Sequence, residues 1–550
     1  MALKRIGKEV KKIKVINSPS LESDNPAQFI CEKVNATEND REGINKAVKE
    51  IYKIEFYEGI LNENCEEFNG MKVSEVKNKL TEKFVSQGKA IKIYEPTIKA
   101  KCRCGTSIIV ATLENQWFLD FNHDKAKVKQ CLDYIKIIPD VYVKQFNDIL
   151  DWLDKRPCAR KRGLGTKLPQ DPNWIVESLS DSTLYMTLYT IIDLIRENNV
   201  PPEKLDKQFF DYVFTGKVSG ELQVDKNFAE KARQAFDYWY PINQRHTAIA
   251  HISNHLIFFV FAHAVLLEKK YWPEMISLNE LVISEGAKMS KSKGNVVPIL
   301  KLTQQHSVDV YRLYCLNSAD LNGKMDYREK DISELYYSVQ RLEAIVKEIS
   351  EANASGKTSL NLKNVLNQFY RNYETGVNAT EKMKLREYVQ RVFYGNLNLL
   401  EANTKRLNES DKTVLKNKIL LTWLKLLNPI IPHFTEEQNE KLSLSNGLVS
   451  LSEIGEIEEY YDEEIEGLEN TFQKTLNDSR NLVQILRKKG RQVASMKVIC
   501  SEKNEGEYFT ENINYLNELF GVQTIIELKE DSKSEKAVKS IRGKPAIEVN

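Results

Sequence analysis

The spacing of hydrophobic residues changes along the chain and separates regions of different predicted structure. Up to about residue 115, short apolar runs alternate with stretches of helical periodicity, which predicts a small α+β region. From 116 to about 330, aromatic and apolar segments lead into predicted helices at Thr183 to Ile195, Phe228 to Trp239 and Asn254 to Leu267. Beyond about 331, apolar residues recur every three or four positions, which predicts an all-α bundle of about five helices. The bundle ends near residue 447, and its three stripes are Leu335, Val339, Leu342, Val346 and Ile349; Leu385, Val389, Val392 and Leu400; and Leu415, Ile419, Trp423 and Leu426.

The last hundred residues separate acidic from basic charge. Residues 452–470 hold nine acidic residues and no basic one, which favours a solvated linker or an exposed helix. Residues 474–497 carry seven basic side chains against the single acid Asp478. Two apolar runs, Val522 to Leu528 and Pro545 to Val549, predict strands of a small α/β cap. We therefore divide the chain at 1–115, 116–330, 331–450 and 451–550.

The basic segment has the electrostatic character of a site that binds a phosphate backbone. The alternative is that the preceding acidic stretch neutralises it within the same chain. The candidate binding residues are Arg480, Arg487, Lys488, Lys489 and Arg491.

Overall composition narrows the function classes less than these local patterns do. At 550 residues, with 29% charged and 41% hydrophobic residues, the chain has the balance of a soluble protein of several domains. Its net charge of +1 gives no global reason to expect nucleic acid, and we expect no DNA partner. The run from Leu256 to Leu267 is short for a membrane span, and the lysine-rich start lacks a secretory signal. Eight scattered cysteines fit a reducing compartment, so we expect a cytoplasmic protein without a membrane partner.

Two groups of residues suggest metal binding, but each has a plainer interpretation. Cys102 and Cys104 form half of a zinc knuckle, and the two further ligands would have to come from residues such as Cys31 and Cys65. Free structural thiols are the favoured interpretation, with zinc as the alternative. His251 and His255 share a predicted helix face, yet no glutamate or third ligand lies near them. Ordinary buried histidines are therefore favoured over a metal pair.

A lysine-rich run between two apolar segments carries the main chemical signal of the chain. It reads Lys-Met-Ser-Lys-Ser-Lys-Gly-Asn over residues 288–295, and a strand is predicted just before it at Leu281 to Ser284. Ammonium groups, hydroxyls and a permissive glycine suit the binding of a polyphosphate. The alternative is a solvated surface loop. The candidate ATP-binding residues are Lys288, Met289, Ser290, Lys291 and Ser292.

This run resembles the lysine-methionine-serine-lysine-serine loop of class I aminoacyl-tRNA synthetases, and other segments agree with it in order. From about residue 10 to the end, the chain resembles leucyl-tRNA synthetases of the archaeal and eukaryotic cytosolic type. The similar segments are Cys102-Arg-Cys-Gly105, Glu114-Asn-Gln-Trp-Phe118, the basic stretch from Cys158 to Pro169, Trp174 to Thr183, Tyr238-Trp-Tyr-Pro241, Asn254-His-Leu256 and Lys544-Pro-Ala-Ile547.

The resemblance implies a fold class of α/β plus all-α. Residues 1–115 would be the tail of the editing insertion and its return path, and 116–330 the second half of a Rossmann-like catalytic domain. A helical anticodon-binding-type bundle and a tRNA-contacting cap would follow. Lys291, helped by Lys288, would hold the β- and γ-phosphates of ATP, with magnesium as the implied counter-ion. The implied partner is tRNA.

Two departures from the family pattern place the activity of the chain in question. The family's histidine-any-glycine-histidine turn, which contributes to ATP binding, occurs nowhere in these 550 residues. Where the family has Gly-Lys-Asp near the adenosine, this chain reads Ala248-Ile249-Ala250. Three interpretations stay open: a split leucine–tRNA ligase that needs a partner chain, a non-catalytic tRNA-binding paralogue, and a truncated gene product.

Overall fold

The computed structural model describes residues 7, 13–21, 23–37, 39–102, 104–111, 114–218, 220–289, 296, 298–454 and 460–549. The chain divides into two compact units, residues 1–116 and 117–550.

The first unit is a small assembly of helices with a short antiparallel ribbon. Strand Ile16–Asn17 pairs with Ile60–Leu61. The side chain of Asp40 caps the longest helix by accepting from the backbone N–H groups of Glu42 and Gly43. The α-helices of this unit are Pro26–Lys33, Arg41–Glu58 and Val73–Ser86.

A three-stranded parallel sheet forms the centre of the first half of the second unit. Strand Met275–Asn279 lies in the middle, between Lys136–Ile138 and Arg245–Ala248. Its apolar residues are buried against the flanking helices, as a sheet covered on both faces requires. This parallel sheet confirms the Rossmann-like α/β class that the sequence predicts. The flanking helices are Lys125–Tyr134, Val143–Trp152 and Ile257–Leu266.

The stretch Ile249–Leu266 is, among the described residues, the one run long and apolar enough to cross a membrane by composition. More than half of it, 56%, is buried inside the protein, as in the core helix of a globular domain.

Short elements surround this sheet, and one of them differs from its predicted form. The predicted helix over Thr183 to Ile195 is broken into short pieces, and Tyr189 on the middle piece is exposed. Continuous periodicity did not reveal these breaks. The pieces of the predicted helix are Tyr185–Tyr189 and Ile192–Glu197. The neighbouring helices are Ser178–Asp181, Lys207–Thr215 and Lys226–Trp239. The small sheets pair Phe118–Asp120 with Lys155–Pro157, and Asp171–Val176 with Ala159–Arg160 and Lys167–Leu168.

The helical bundle follows the predicted stripes. Most of their residues are buried in one core, and the indole N–H of Trp423 donates to the carbonyl of Val392 at 2.9 Å. Pro432 begins a further helix, a position where its missing N–H costs nothing. The helices of this part are Ile299–Gln305, Val308–Ser318, Glu329–Glu351, Leu360–Glu381, Leu385–Val389, Asn396–Asn403, Glu409–Leu415, Leu421–Leu427 and Pro432–Leu442; π-helical turns at 390–395 and 416–420 join four of them.

The C-terminal cap packs against a single long helix, Glu463–Lys488, which contains the end of the acidic stretch and most of the basic segment. The sheet of the cap has Ser495–Cys500 in the centre, parallel to Gln523–Leu528 and antiparallel to Ala546–Val549. The latter two strands were predicted from their apolar runs. Helices Lys503–Glu511 and Ile513–Phe520 complete the α/β cap.

Candidate nucleotide and RNA sites

The predicted polyphosphate loop follows a tight β-hairpin, here called the loop hairpin, over residues 282–288. Strand Val282–Ser284 pairs antiparallel with Ala287–Lys288. The two turn residues, Glu285 and Gly286, have φ angles of 50° and 72°. Positive φ at both positions is the type I′ geometry that suits the twist of a two-residue hairpin. The hairpin therefore delivers the chain to Lys288 in a fixed direction.

The loop hairpin is fixed to the neighbouring strand Met325–Tyr327, which runs parallel to its first strand. The backbone N–H of Gly286 donates to the Asp326 carboxylate at 2.9 Å, and that of Glu285 donates to the Tyr327 carbonyl at 3.2 Å. Arg328 donates twice to the other Asp326 oxygen, at 3.0 and 2.9 Å. The Gly286 amide first, and then Arg328, hold the pKa of Asp326 below its ordinary value.

Two of the five predicted ATP-binding residues lie in the described part of the chain. Lys288 is exposed at the end of the hairpin. Met289 is half-buried and packs against the core of the helical bundle, so it ties the start of the loop to that core. Ser290, Lys291 and Ser292 lie outside the described residues, and their roles stay predictions.

The carboxyl ends of the parallel strands form the edge where such sheets bind ligands. At this edge, strand Arg245–Ala248 leads directly into a 3₁₀ turn over Ile249–His251. Ile249 packs against the sheet core, while Ala248 and Ala250 carry only methyl groups. This strand end can therefore offer a nucleotide only backbone groups at those positions.

The neighbouring strand end has polar side chains, but they are engaged with one another. Tyr142 donates to the Glu280 carboxylate at 2.8 Å, and the Asn279 amide donates to the Glu280 carbonyl at 2.8 Å. His246 and Ser277 are joined by a 2.8 Å bond from Nδ1 to Oγ. Burial lowers the pKa of His246, so the imidazole is neutral near pH 7. Sequence reasoning missed Tyr142, Ser277 and Glu280 because their spacing in the chain follows no known motif.

His255 belongs to a chain of hydrogen bonds, as expected of a buried histidine. Its Nε2 lies 3.4 Å from Nη2 of Arg245, which can only donate, so Nε2 is the acceptor. Nδ1 then carries the proton and donates to Ser182 Oγ at 3.3 Å. Burial first, and then the charge of Arg245, lower the pKa of His255, which favours this neutral form. Among the described residues no group of three potential metal ligands occurs, at the His251–His255 pair or elsewhere.

The cysteine prediction needs correction. Cys102 and Cys104 form a disulfide, whereas the sequence favoured free thiols. Cys31 packs in the small core of the first unit, and Cys65 donates weakly to the Val15 carbonyl at 3.5 Å. Cys31 and Cys65 therefore make other contacts and do not lie with Cys102 and Cys104 in a four-cysteine zinc site.

Helix Val308–Ser318 links the loop hairpin to the bundle. Asp309 accepts from the backbone N–H groups of Phe434 at 2.6 Å and His433 at 3.3 Å, and so caps helix Pro432–Leu442. Nδ1 of His433 donates to the same carboxylate at 3.0 Å. Arg312 donates to the carbonyls of Pro429 and Ile430. These long-range bonds join helix Val308–Ser318 to the start of helix Pro432–Leu442.

The predicted RNA-binding residues form an exposed stripe at one end of the long helix. Arg480, Arg487, Lys488, Lys489 and Arg491 are all exposed. Within the described chain, none of the five forms an ion pair with an acidic side chain. Arg487 donates to the Phe520 carbonyl at 2.9 Å. Lys497 also belongs to the predicted basic segment, but it lies on a strand and forms an ion pair with Glu527 at 2.8 Å. It is therefore not part of the exposed stripe.

The acidic stretch has other partners. Glu466 pairs with Arg371, and Glu469 pairs with Arg406 at 2.7 Å. Glu469 and Arg487 stand 18 residues apart on one helix, which corresponds to about 27 Å at 1.5 Å per residue. Charges at that separation are screened in physiological salt. Among the described residues, the acidic side chains of this stretch therefore form no ion pair with the basic stripe. The acidic start and basic end also complement the dipole of the helix itself.

A buried polar network attaches the long helix and the cap to the bundle. The side chain of Arg406 is 1% exposed and donates to both carboxylate oxygens of Glu469, at 2.8 and 2.7 Å. Tyr508 donates to the same carboxylate at 2.6 Å, and Arg406 also donates to Asn361 and Asn512. Burial raises the pKa of Glu469, but Arg406 outweighs it and the pKa is lowered. The basic stripe is thus held on a rigid support.

Comparison with known proteins identifies two domain families along the chain. Residues 97–339 match the model described as tRNA synthetases class I (M). Residues 363–499 match the model described as the anticodon-binding domain of tRNA ligase. The first match contains the parallel sheet and the loop hairpin, and the second contains most of the bundle and the long helix.

Curated relatives agree over most of the chain. The leucine–tRNA ligase of Staphylothermus marinus is 39% identical over 491 residues, covering 87% of this chain and 50% of the relative. That of Thermoplasma volcanium is 39% identical over 421 residues, covering 75% and 44%. That of Methanocaldococcus jannaschii is 34% identical over 499 residues, covering 88% and 52%. The chain spans about half the length of the curated relatives it matches.

Proposed function

Because this chain is a homologue of archaeal leucine–tRNA ligases over most of its length, we propose that it performs part of leucyl-tRNA synthesis in the cytoplasm. In this proposal it holds the triphosphate of ATP and binds tRNA. The observation that supports the proposal is the loop hairpin, which ends at Lys288, while the next residue, Met289, packs against the core of the bundle. The remaining half of the family's length, on the same polypeptide or on a partner chain, supplies the histidine-containing turn.

The reaction has two steps. The carboxylate of leucine attacks the α-phosphorus of ATP, the bond to the β-phosphate bridging oxygen breaks, and leucyl-adenylate and pyrophosphate form. A terminal ribose hydroxyl of tRNA then attacks the acyl carbon, AMP leaves with the electron pair, and the hydroxyl proton is lost. Lys291 and Lys288 hold the β- and γ-phosphates as negative charge moves onto pyrophosphate, with Ser290 and Ser292 as donors. Their contribution is positioning and electrostatic stabilisation.

Magnesium is the counter-ion that the family implies for ATP. The described residues contain no group of three side chains suited to hold a metal, so we assign it no protein ligands and no step.

A second candidate function is that of a tRNA-binding paralogue without catalysis. It is favoured by Ala248 and Ala250, which leave the strand end without a side chain that can bond the ribose. Leucine-dependent exchange of pyrophosphate into ATP separates the two. The chain alone is expected to give no exchange. Addition of the complementing half from an archaeal relative is expected to restore exchange if the first proposal holds.

A variant of the phosphate loop gives the sharper form of this test. In the restored assembly, Lys291→Ala is expected to lower the rate of exchange about a hundredfold, the scale for removal of one preorganised contact to the transition state. Exposed Lys301 on the following helix offers a control, and Lys301→Ala is expected to leave exchange unchanged. No exchange from the wild-type assembly, with tRNA binding intact, would support the paralogue instead.

The RNA-binding half of the proposal has its own test. If about four to six phosphates are contacted, log affinity for tRNA should fall with log salt at a slope of roughly −3 to −5. A variant with Arg480, Lys488, Lys489 and Arg491 changed to Gln should weaken binding, and the slope should flatten by about one for each phosphate that is no longer neutralised. Arg487 is kept because its bond to the Phe520 carbonyl supports the cap.

A charge-matched control separates this binding from the effect of net charge. Arg41, Lys46, Lys49 and Lys53 are exposed on one helix of the first unit, and their change to Gln removes the same charge. Filter binding across a salt series measures both variants, and circular dichroism checks that they are folded. Equal weakening in the two variants would mean that the stripe does not contact tRNA specifically.

A further inference from the structure

We propose that Asp326 is a positioning residue for the phosphate-binding loop, acting through the turn of the loop hairpin; this inference rests on the proposed function. Asp326 lies on the strand next to the hairpin and not on the hairpin itself. Its carboxylate contacts the turn, and it has no assigned role in the nucleotide site.

The contact is directed at the tip of the turn. In a two-residue hairpin the strands bond to each other through the residues that flank the turn, here Ser284 and Ala287. The N–H of Gly286 instead bonds to Asp326 at 2.9 Å, across to the neighbouring strand. Lys288 follows two residues later, about 7 Å along an extended strand. A shift of the tip is therefore transmitted directly to the first residue of the loop.

Asp326 is itself held from both sides. The hydroxyl of Tyr314 donates to the Asp326 carbonyl at 2.8 Å and accepts from the Arg328 backbone N–H at 3.1 Å. Tyr314 is 3% exposed, in the helix whose Asp309 caps the bundle. Arg328 holds the second carboxylate oxygen at 2.9 Å, so the first oxygen stays directed at Gly286. A group fixed by core packing and by an ion pair can fix a turn in its place.

The test uses Asp326→Ala and Asp326→Asn in the assembly restored with the complementing half. Asp326→Ala removes the acceptor, and exchange should fall in kcat by about tenfold to a hundredfold, the scale for a small misplacement of a reacting group. The KM for leucine should stay within about twofold, because the loop is proposed to hold the phosphates of ATP and not leucine. Asp326→Asn retains a carbonyl oxygen for Gly286 and should restore most of the rate. Asp320→Asn, at an exposed acid of the preceding turn, is the control.

Hydrogen exchange of peptides covering residues 282–289 provides a readout that does not depend on catalysis. Asp326→Ala should speed exchange there, and Asp326→Asn should not. Faster hydrogen exchange together with an unchanged kcat for pyrophosphate exchange would mean that Asp326 has only a structural role, and would overturn the inference. Equal loss of rate in both variants would overturn it too, because the charge and not the bond to Gly286 would then matter. Absence of pyrophosphate exchange from the wild-type assembly would refute the proposed function and the inference together.

Discussion

Changing Glu469 to Gln should loosen the attachment of the long helix and the cap to the bundle. The carboxylate of Glu469 accepts two bonds from Arg406, at 2.8 and 2.7 Å, and one each from Tyr508 and Gln473. The carboxamide of Gln has the same shape, but its NH₂ group would face the donors of Arg406, Tyr508 or Gln473, and the negative charge is lost. The guanidinium of Arg406, 1% exposed, is then buried without a counter-charge.

The size of the effect follows from that burial. Breaking a buried ion pair by removing one partner costs about 3–5 kcal/mol, because the remaining charge has no compensation. An exposed pair would be worth about 1 kcal/mol or less. Each 1.4 kcal/mol is tenfold, so local opening of this region should become roughly a hundredfold or more frequent.

Hydrogen exchange at pH 7, followed by mass spectrometry on peptides from the long helix and strand Ser495–Cys500, measures this opening directly. Glu464→Gln is the matched control, since Glu464 lies on the same helix and makes an exposed bond to Asn504. Glu464→Gln should change the free energy of local opening by less than about 0.5 kcal/mol. If Glu469→Gln lowered the free energy of local opening by less than about 1 kcal/mol, the view that this buried pair holds the cap would be refuted.

The same pair predicts a pH dependence with a definite sign. The pKa of Glu469 is lowered in the folded protein, below the ordinary value of 4.5. Its contribution to the free energy of unfolding is therefore complete above pH 4.5 and is lost as pH falls through the folded pKa. Glu469→Gln should be less stable at neutral pH and should lose less stability on acidification in that range. Parallel pH profiles for the two proteins would contradict this assignment.

Two further predictions concern the turn and the helix junction. Gly286→Ala should destabilise the loop hairpin by about 1–2 kcal/mol, because φ is +72° while nothing lies within 4 Å of an added Cβ. Exchange of the 282–289 peptide should rise, and Gly467→Ala, also without neighbours but inside a helix, should show no such rise. Asp309→Asn should weaken the bonds to the His433 and Phe434 backbone N–H groups by about 1–3 kcal/mol. Faster exchange confined to the start of helix Pro432–Leu442 is expected, and unchanged exchange there would contradict the capping role.

Much of the fold was determined by local pattern. The stripes around Leu342, Val392 and Trp423 predicted the bundle because a helix repeats every 3.6 residues and must bury one face. Periodicity failed over Thr183 to Ile195, where apolar residues continue although the helix breaks.

Charge patterns located the candidate sites but not their partners. The basic stripe around Lys488 and the loop at Lys288 were visible as runs of like charge. Their surroundings were decided by residues far away in the chain, such as Asp326 for the turn and Phe520 for Arg487. Composition could not separate Lys497, paired across a sheet, from its exposed neighbours.

Only the tertiary structure decided which polar residues are buried together. Arg406 and Glu469 lie 63 positions apart, and Asp309 and Phe434 lie 125 apart, with no periodic signal between the members of either pair. Such pairs form because a buried charge must find a counter-charge or an oriented donor, and the backbone path brings one within reach. The sequence by itself determined where helices, turns and charged runs lie, because those depend on neighbours along the chain. The contacts that hold the loop hairpin and the cap depend on neighbours in space, which only folding specifies.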